Sequence, residues 1–339
     1  MDRRGFLGFA AALAGSLMLP QAVFGQRRSR RINPGNFQGE NYGWSPNPDA
    51  RQTFIQSQAM PFLRQQNTLI EGSGAGKKAL WYRMYEKVTK GPLIPHEQGI
   101  GDCVSHGFGL GVDFLTCHQI EILKKRERWV TKCATEAIYG LSRVEVGKQR
   151  NSYSDGSTGV WAAEAISTYG ILLRQKYKDF DFTTYDPEVA KQFGAKGLPD
   201  VLEPLAKEHP VQTVALVNSW EECRDAIYNG HMVAMCSNLG FGQFGASRDS
   251  QGFLRRSRRP WYHCMFLGAM DDESDRPGAL AINSWGPKSV VGPKRHDQPD
   301  GSFWIDAENI DNAMKQGDSI AMSAYVGYPR VDVPSYVIW

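Results

Sequence analysis

Three short stretches carry side chains that together could do covalent chemistry. Gln98-Gly99-Ile100-Gly101-Asp102-Cys103-Val104 is a glycine-punctuated loop ending in a thiol, where an apolar-periodic segment begins. A helix start there would present unpaired N–H groups and a partial positive charge. Both favour thiolate over thiol, so the position predicts a depressed Cys103 pKa. Trp261-Tyr262-His263-Cys264-Met265-Phe266-Leu267-Gly268 opens a core-like strand with an imidazole. Ala281-Ile282-Asn283-Ser284-Trp285-Gly286 ends another apolar strand in a carboxamide, with an indole two residues on. Alone, each stretch is more often packing, a structural histidine or a turn. In the order thiol, imidazole, amide, they fit nucleophilic catalysis with an oriented base. His263 follows Cys103 by 160 residues and Asn283 follows it by 180, so the fold must gather them.

The elements available to do so differ along the chain. Val104, Phe108, Val112, Leu115, Ile122 and Leu123 recur at helical steps and predict one long buried-face helix from Cys103 to about Arg126. Ala134–Val146 and Val160–Tyr169 read as further helices. Beyond them the texture changes to strands: Val211–Val217, His231–Cys236, His263–Gly268, Ala279–Ser284, Ser302–Ile305 and Ser319–Val326. Ser219 with Glu222 reads as a capping box opening a helix that Asn229-Gly230 ends. Helices followed by antiparallel strands predict an α+β fold. Residues 26–77 are rich in Asn, Gln, Pro, Gly and Ser. They read as an irregular arm, linker or short pro-segment, with one helical piece near Thr53–Arg64.

Composition bounds the rest. The 339 residues are 41% hydrophobic and 22% charged, which excludes a disordered, collagen-like or multi-span membrane chain. A formal charge of +3 argues against nucleic acid as a partner. The clusters Arg27–Arg31 and Arg255–Arg259 read as solvated loops. Arg3-Arg4 precedes a fourteen-residue apolar run, Phe6–Leu19, too short at ~1.5 Å per residue to cross a ~30 Å hydrocarbon core. Residues 1–25 therefore read as an export signal similar to the bacterial twin-arginine type. That predicts a periplasmic or extracellular protein with no stable membrane anchor after signal removal. None of the six cysteines forms a Cys-x-x-Cys pair, so no metal site and no cofactor is expected.

From Lys78 to Val326 the chain resembles the papain-like cysteine peptidases. Asn283-Ser284-Trp285-Gly286 matches that family's motif residue for residue, and His263 heads the strand where the family has its catalytic His. Gly301-Ser302-Phe303-Trp304-Ile305 resembles the strand that follows, and Tyr169-Gly170-Ile171-Leu172 the segment after the second helix of the helical lobe. Departures are plain. The usual Cys-Gly-Ser-Cys-Trp is here Gly101-Asp102-Cys103-Val104, without the upstream Cys or the following Trp, and Gln98 lies five residues before Cys103 rather than six. Asp102 adds a carboxylate beside the thiol. The spacing to His263 also exceeds the family's ~130–150 residues.

The resemblance implies a two-lobed fold over 78–339. A helical lobe at about 100–205 would precede a β lobe at about 206–326, with the active site in the cleft. It implies a Cys103–His263–Asn283 triad, an oxyanion site from Cys103 N–H and Gln98, and Trp285 shielding the His–Asn bond. Gly156-Ser157-Thr158-Gly159 would be the edge that pairs with substrate backbone, and Arg255–Arg259 could favour acidic residues on the leaving-group side. The expected function is a thiol protease, hydrolysing a peptide or protein substrate through a thioester. The alternatives are a non-catalytic binding protein on the same scaffold, a thiol acyltransferase or a cell-wall amidase. Nothing in the sequence sets the oligomeric state.

Overall fold

The computed structural model describes residues 42–151 and 154–325. The segment 1–25, expected to be an export signal, and the arm as far as residue 41 lie outside the described residues. In chain order the helices are α1 Pro48–Ser57, α2 Trp81–Thr89, α3 Cys103–Glu121, α4 Thr135–Gly140, α5 Gly159–Glu164, α6 Pro187–Lys196, α7 Glu203–Ala206, α8 Trp220–Tyr228 and α9 Ala307–Met314. The strands are β1 Lys78–Leu80, β2 Lys176–Tyr177, β3 Phe180–Asp181, β4 Val211–Leu216, β5 Met232–Ser237, β6 Ala246–Ser247, β7 His263–Asp271, β8 Gly278–Ile282, β9 Val290–Val291, β10 Phe303–Asp306 and β11 Ile320–Tyr325. Among the described residues, no helix is long and apolar enough to cross a membrane.

The principal sheet runs β10-β8-β7-β5-β11-β4, all antiparallel, and β1 pairs with the far end of β7. Its strands are apolar on both faces because both faces are covered. Cys236, Cys264, Phe266, Ile282 and Met322 point to the side that packs with Val104, Phe108 and Val112 of α3. Met235, Met265, Leu267, Ala281 and Ala321 point the other way, to Cys223, Ile227, Ile310 and Ala313 of α8 and α9. Helix α3 lies very close to β7. A Cβ on Gly107 would stand 2.9 Å from Cys264 Sγ, so only glycine lets the helix and strand approach this far. A separate apolar cluster, including Ala137, Leu141, Leu172, Phe182, Phe193 and Leu202, holds the helical region together.

Five elements differ from the sequence expectation for local reasons. Helix α3 stops at Glu121 because Lys124 takes a left-handed φ of 52° that ends the run. The helices at 134–146 and 160–169 each begin as α-helix and widen into a π-helical turn, Leu141–Val146 and Ala165–Tyr169. Ser219 Oγ accepts from Glu222 N–H at 3.2 Å, but the Glu222 carboxylate reaches Asn218 N–H at 2.8 Å, one residue outside a capping box. Helix α1 starts at Pro48, where Asn47 Oδ1 accepts from Ala50 N–H, five residues before the expected helical piece.

Asp113 is buried in the middle of α3, where Oδ1 accepts from Cys133 N–H at 2.8 Å and so ties α3 to the chain entering α4. Burial pushes its carboxyl from 3.8 up to about 6, against the pull of Lys132 and that hydrogen bond. A carboxyl raised on folding binds its proton more tightly in the native state, so its contribution to stability falls as pH rises from about 4 to about 6. Asp113→Asn keeps the acceptor and removes the titration. Denaturant midpoints should show the variant gaining on the wild type by up to about 3 kcal/mol between pH 4 and pH 7. A difference that stays flat with pH would contradict the raised carboxyl.

Candidate active site

The fold brings the heads of α3 and β7 and the end of β8 into one place. Cys103 is the first residue of α3 and is fully buried. Its Sγ accepts a hydrogen bond from the backbone N–H of Cys264 at 3.3 Å, so the sulfur sits against the residue after His263. His263 heads β7, and its Nε2 lies 2.7 Å from Asn283 Oδ1. That oxygen also accepts from Ser284 N–H at 2.7 Å. A backbone N–H can only donate, so Asn283 must present its oxygen here, and His263 Nε2 must carry the proton. The neutral ring is thereby fixed as the Nε2–H tautomer. Its Nδ1 is left as a lone pair, buried and without a hydrogen-bond partner.

Aromatic rings enclose the imidazole. Trp285 stacks on it with centroids 5.0 Å apart and planes 28° apart, and Trp261 and Tyr42 meet it edge-on at 6.1 and 5.6 Å. The loop bearing Gln98 is pinned to the Asn283 turn by paired backbone. Gln98 N–H donates to Ser284 O at 2.8 Å, Gly286 N–H donates to His96 O at 2.8 Å, and Ser284 Oγ donates to Gln98 Oε1 at 2.6 Å. Gln98 Nε2 spends its two hydrogens on Ile100 O at 2.8 Å and Tyr42 O at 3.0 Å.

Tyr42 belongs to the arm, and the arm runs through the site. Ser45 N–H donates to Ser157 O at 2.9 Å, and Ser157 N–H donates to Gly43 O at 2.8 Å. On the other side Tyr42 and Trp44 donate to Trp261 O and Tyr262 O at 3.4 and 3.1 Å. Trp44 Nε1 donates to Asp318 Oδ2 at 2.6 Å. Gly43 has φ +122°, and a Cβ there would strike the carbonyl of Gly101. The chain threads so tightly over the Cys103 loop that only glycine fits. Of the four residues read as a substrate edge, Ser157 thus pairs with this chain's own backbone, and Gly156 precedes it at φ +109°. Thr158 Oγ1 caps α5 through Trp161 N–H at 3.0 Å, and Gly159 N–H donates to Asp318 Oδ2 at 2.7 Å.

Electrostatics follow from this enclosure. The helix-mouth position predicts a depressed thiol, yet Cys103 is held well above the usual range. Burial is the main cause, followed by the Cys264 thiol and then Asp102; hydrogen bonds from Cys264 and Val104 pull the other way. Burial likewise pushes His263 down to about 4, with Asn283 opposing and His106 adding to the drop. Thiol and imidazole are both neutral in this covered state, and the Cys103 sulfur is not hydrogen-bonded to His263.

The sequence reading did not anticipate the surroundings of Asp102. This residue is fully buried; its Oδ2 accepts from Tyr185 OH at 2.9 Å and lies 3.3 Å from His106 Nε2. His106 in turn meets His96, Nδ1 to Nδ1 at 3.2 Å. The Asp102–His106 spacing of i to i+4 at a helix start was the signal that could have found this pair. For the arm, the signal was Tyr42-Gly43-Trp44, two aromatics around a glycine in an otherwise polar stretch.

No protein-family model matches the sequence, and no curated protein matches it. The fold does have solved counterparts. The chain is similar to xylellain, a cysteine protease from Xylella fastidiosa, at 14% identity and a TM-score of 0.51, over 84% of this chain and 91% of that one. It is also similar to digestive procathepsin L 3 from the larval midgut of Tenebrio molitor, at 14% identity and a TM-score of 0.50, over 84% and 77% of the two chains. The mixed helix and antiparallel-sheet architecture described above is the papain-like cysteine protease fold.

Proposed function

We propose that the protein is an exported thiol-dependent peptidase, a hydrolase using Cys103, His263 and Asn283. The observation that carries this reading is the fixed His263 tautomer. Asn283 and Ser284 leave Nδ1 as a free base at the head of the strand whose next N–H holds the Cys103 sulfur. In turnover Nδ1 would take the thiol proton as Sγ attacks the scissile carbonyl, then give it to the leaving amine. Water would hydrolyse the thioester. Trp285 would keep solvent off the His–Asn bond.

The arm supports the same reading. Its Tyr42 carbonyl accepts from Gln98 Nε2, and its backbone pairs with Ser157, as an extended peptide substrate would. Withdrawing Tyr42–Ser45 would free one Gln98 hydrogen and leave Cys103 N–H and Gln98 to receive a developing oxyanion. It would also reopen Ser157 to a substrate and rehydrate the thiol and imidazole, whose shifts both come mainly from burial. The peptide cleft and the covering segment are thus parts of one device. The exposed Arg255, Arg256, Arg258 and Arg259 lie just before His263 in sequence, and would favour acidic residues past the scissile bond.

The non-catalytic reading draws on the Cys103 sulfur resting on Cys264 N–H with a raised pKa, and labelling decides between the two. With the arm loosened, as in Trp44→Ala, a thiol-directed epoxide should modify Cys103 faster than a denatured control. Peptide-library digestion should yield cleavage that Cys103→Ala abolishes, His263→Ala lowers by at least ~100-fold, and Asn283→Ala lowers by less. Equal digestion by wild type and Cys103→Ala would end the enzymatic reading. Trp44→Ala removes the indole bond to Asp318 and loosens the arm, so epoxide labelling of Cys103 should speed up several-fold. Unchanged or slower labelling would show that the arm is not the barrier.

A further inference from the structure

Cys103, Cys236 and Cys264 are three buried thiols that influence one another directly beneath the candidate site. Cys236 and Cys264 are directly opposed in the antiparallel β5–β7 pair. Which kind of opposed pair they form follows from where their backbones bond. Cys236 N–H donates to Ser319 Oγ at 3.2 Å, and its carbonyl accepts from the same hydroxyl at 3.5 Å, both beside β11 and away from β7. Cys264 N–H donates to Cys103 Sγ at 3.3 Å, away from β5. The two residues therefore do not exchange backbone hydrogen bonds. In such a non-hydrogen-bonded pair the Cα atoms sit ~4.5 Å apart with their side chains close. That is inside the ~4.4–6.8 Å span a disulfide bridges. Both side chains lie on the α3 side of the sheet, and the missing Cβ of Gly107 gives the Cys264 sulfur its room. Burial, then the neighbouring Cys264 thiol, pushes Cys236 well up.

We propose that Cys236 and Cys264 are a modification site: a peroxide closes them to a cross-strand disulfide immediately behind Cys103. One sulfur attacks a peroxide oxygen and the O–O bond breaks. Water leaves with the thiol proton, and a sulfenic acid remains. The second sulfur then attacks the first, the S–O bond breaks, and a second water leaves. Two thiols and one hydrogen peroxide give one disulfide and two waters, and a dithiol reductant reverses the change. The closed bridge would pin β5 to β7 at the residue that follows His263 and holds the Cys103 sulfur. The pairing does not need Cys103 to turn over any substrate, so it stands or falls apart from the peptidase reading.

The experiment uses the full chain, wild type and Trp44→Ala, treated with hydrogen peroxide, unfolded in excess alkylating agent, and mapped by mass spectrometry. The expected result is a linked Cys236–Cys264 peptide lighter by about 2 Da, lost on reduction and equally present in Cys103→Ala. Cys236→Ser and Cys264→Ser should each abolish it. If either variant fails to fold, the wild-type and Cys103→Ala maps decide alone. Recovery of Cys236 and Cys264 as alkylated thiols in both proteins, or linkage of either to Cys103, would overturn the proposal.

Discussion

The site depends on one hydrogen-bonded chain: Ser284 N–H to Asn283 Oδ1, and His263 Nε2–H to the same oxygen. Because the backbone N–H cannot reverse its role, the amide cannot flip, and because the amide cannot flip, the imidazole cannot change tautomer. A turn at the end of β8 thus decides which ring nitrogen at the head of β7 can act as a base. The surrounding sheet serves that decision. β7 and β8 are neighbours, and α3 packs on β7 closely enough for Cys103 to rest on the backbone of Cys264.

Two opposing effects act on the thiol, and burial wins in the described state. A helix N-terminus is worth typically ~0.3–1 kcal/mol to an anion, whereas removing a thiolate from water costs several kcal/mol. Asp102 adds to the cost from the preceding residue. The arm adds to that burial by pairing with Ser157 and packing Tyr42 against His263, so on the proposed reading the segment on the Ser157 edge would also keep Cys103 and His263 neutral. On that reading, reactivity and coverage would be coupled through desolvation rather than through any rearrangement of the strands.

Much of this was legible in the sequence. Asn283-Ser284-Trp285-Gly286 and His263 could be placed from motif and strand texture, because a strand needs only a short apolar run and a definite end. The long helix from Cys103 was readable from its periodicity. Helix α6 carried Asp186-Pro187-Glu188, a capping residue followed by proline, yet only Ala190, Phe193 and Gly194 are buried in it, too few apolar positions to mark a face from sequence. Helix α9 begins at Ala307, capped by Asp306, the last residue of β10; the strand runs straight into the helix, and periodicity alone blurs that boundary. What sequence could not give was distance. Gln98 sharing its amide between Ile100 and Tyr42, Asp102 closing on His106 and Tyr185, and Cys236 facing Cys264 all depend on register and threading, which no local pattern encodes.

The most direct test is nitrogen-detected NMR of the His263 ring in the intact chain at neutral pH. The account predicts a neutral imidazole with its proton on Nε2, held in a slowly exchanging hydrogen bond, and an unprotonated Nδ1. A proton on Nδ1, or a charged ring in the covered state, would contradict it.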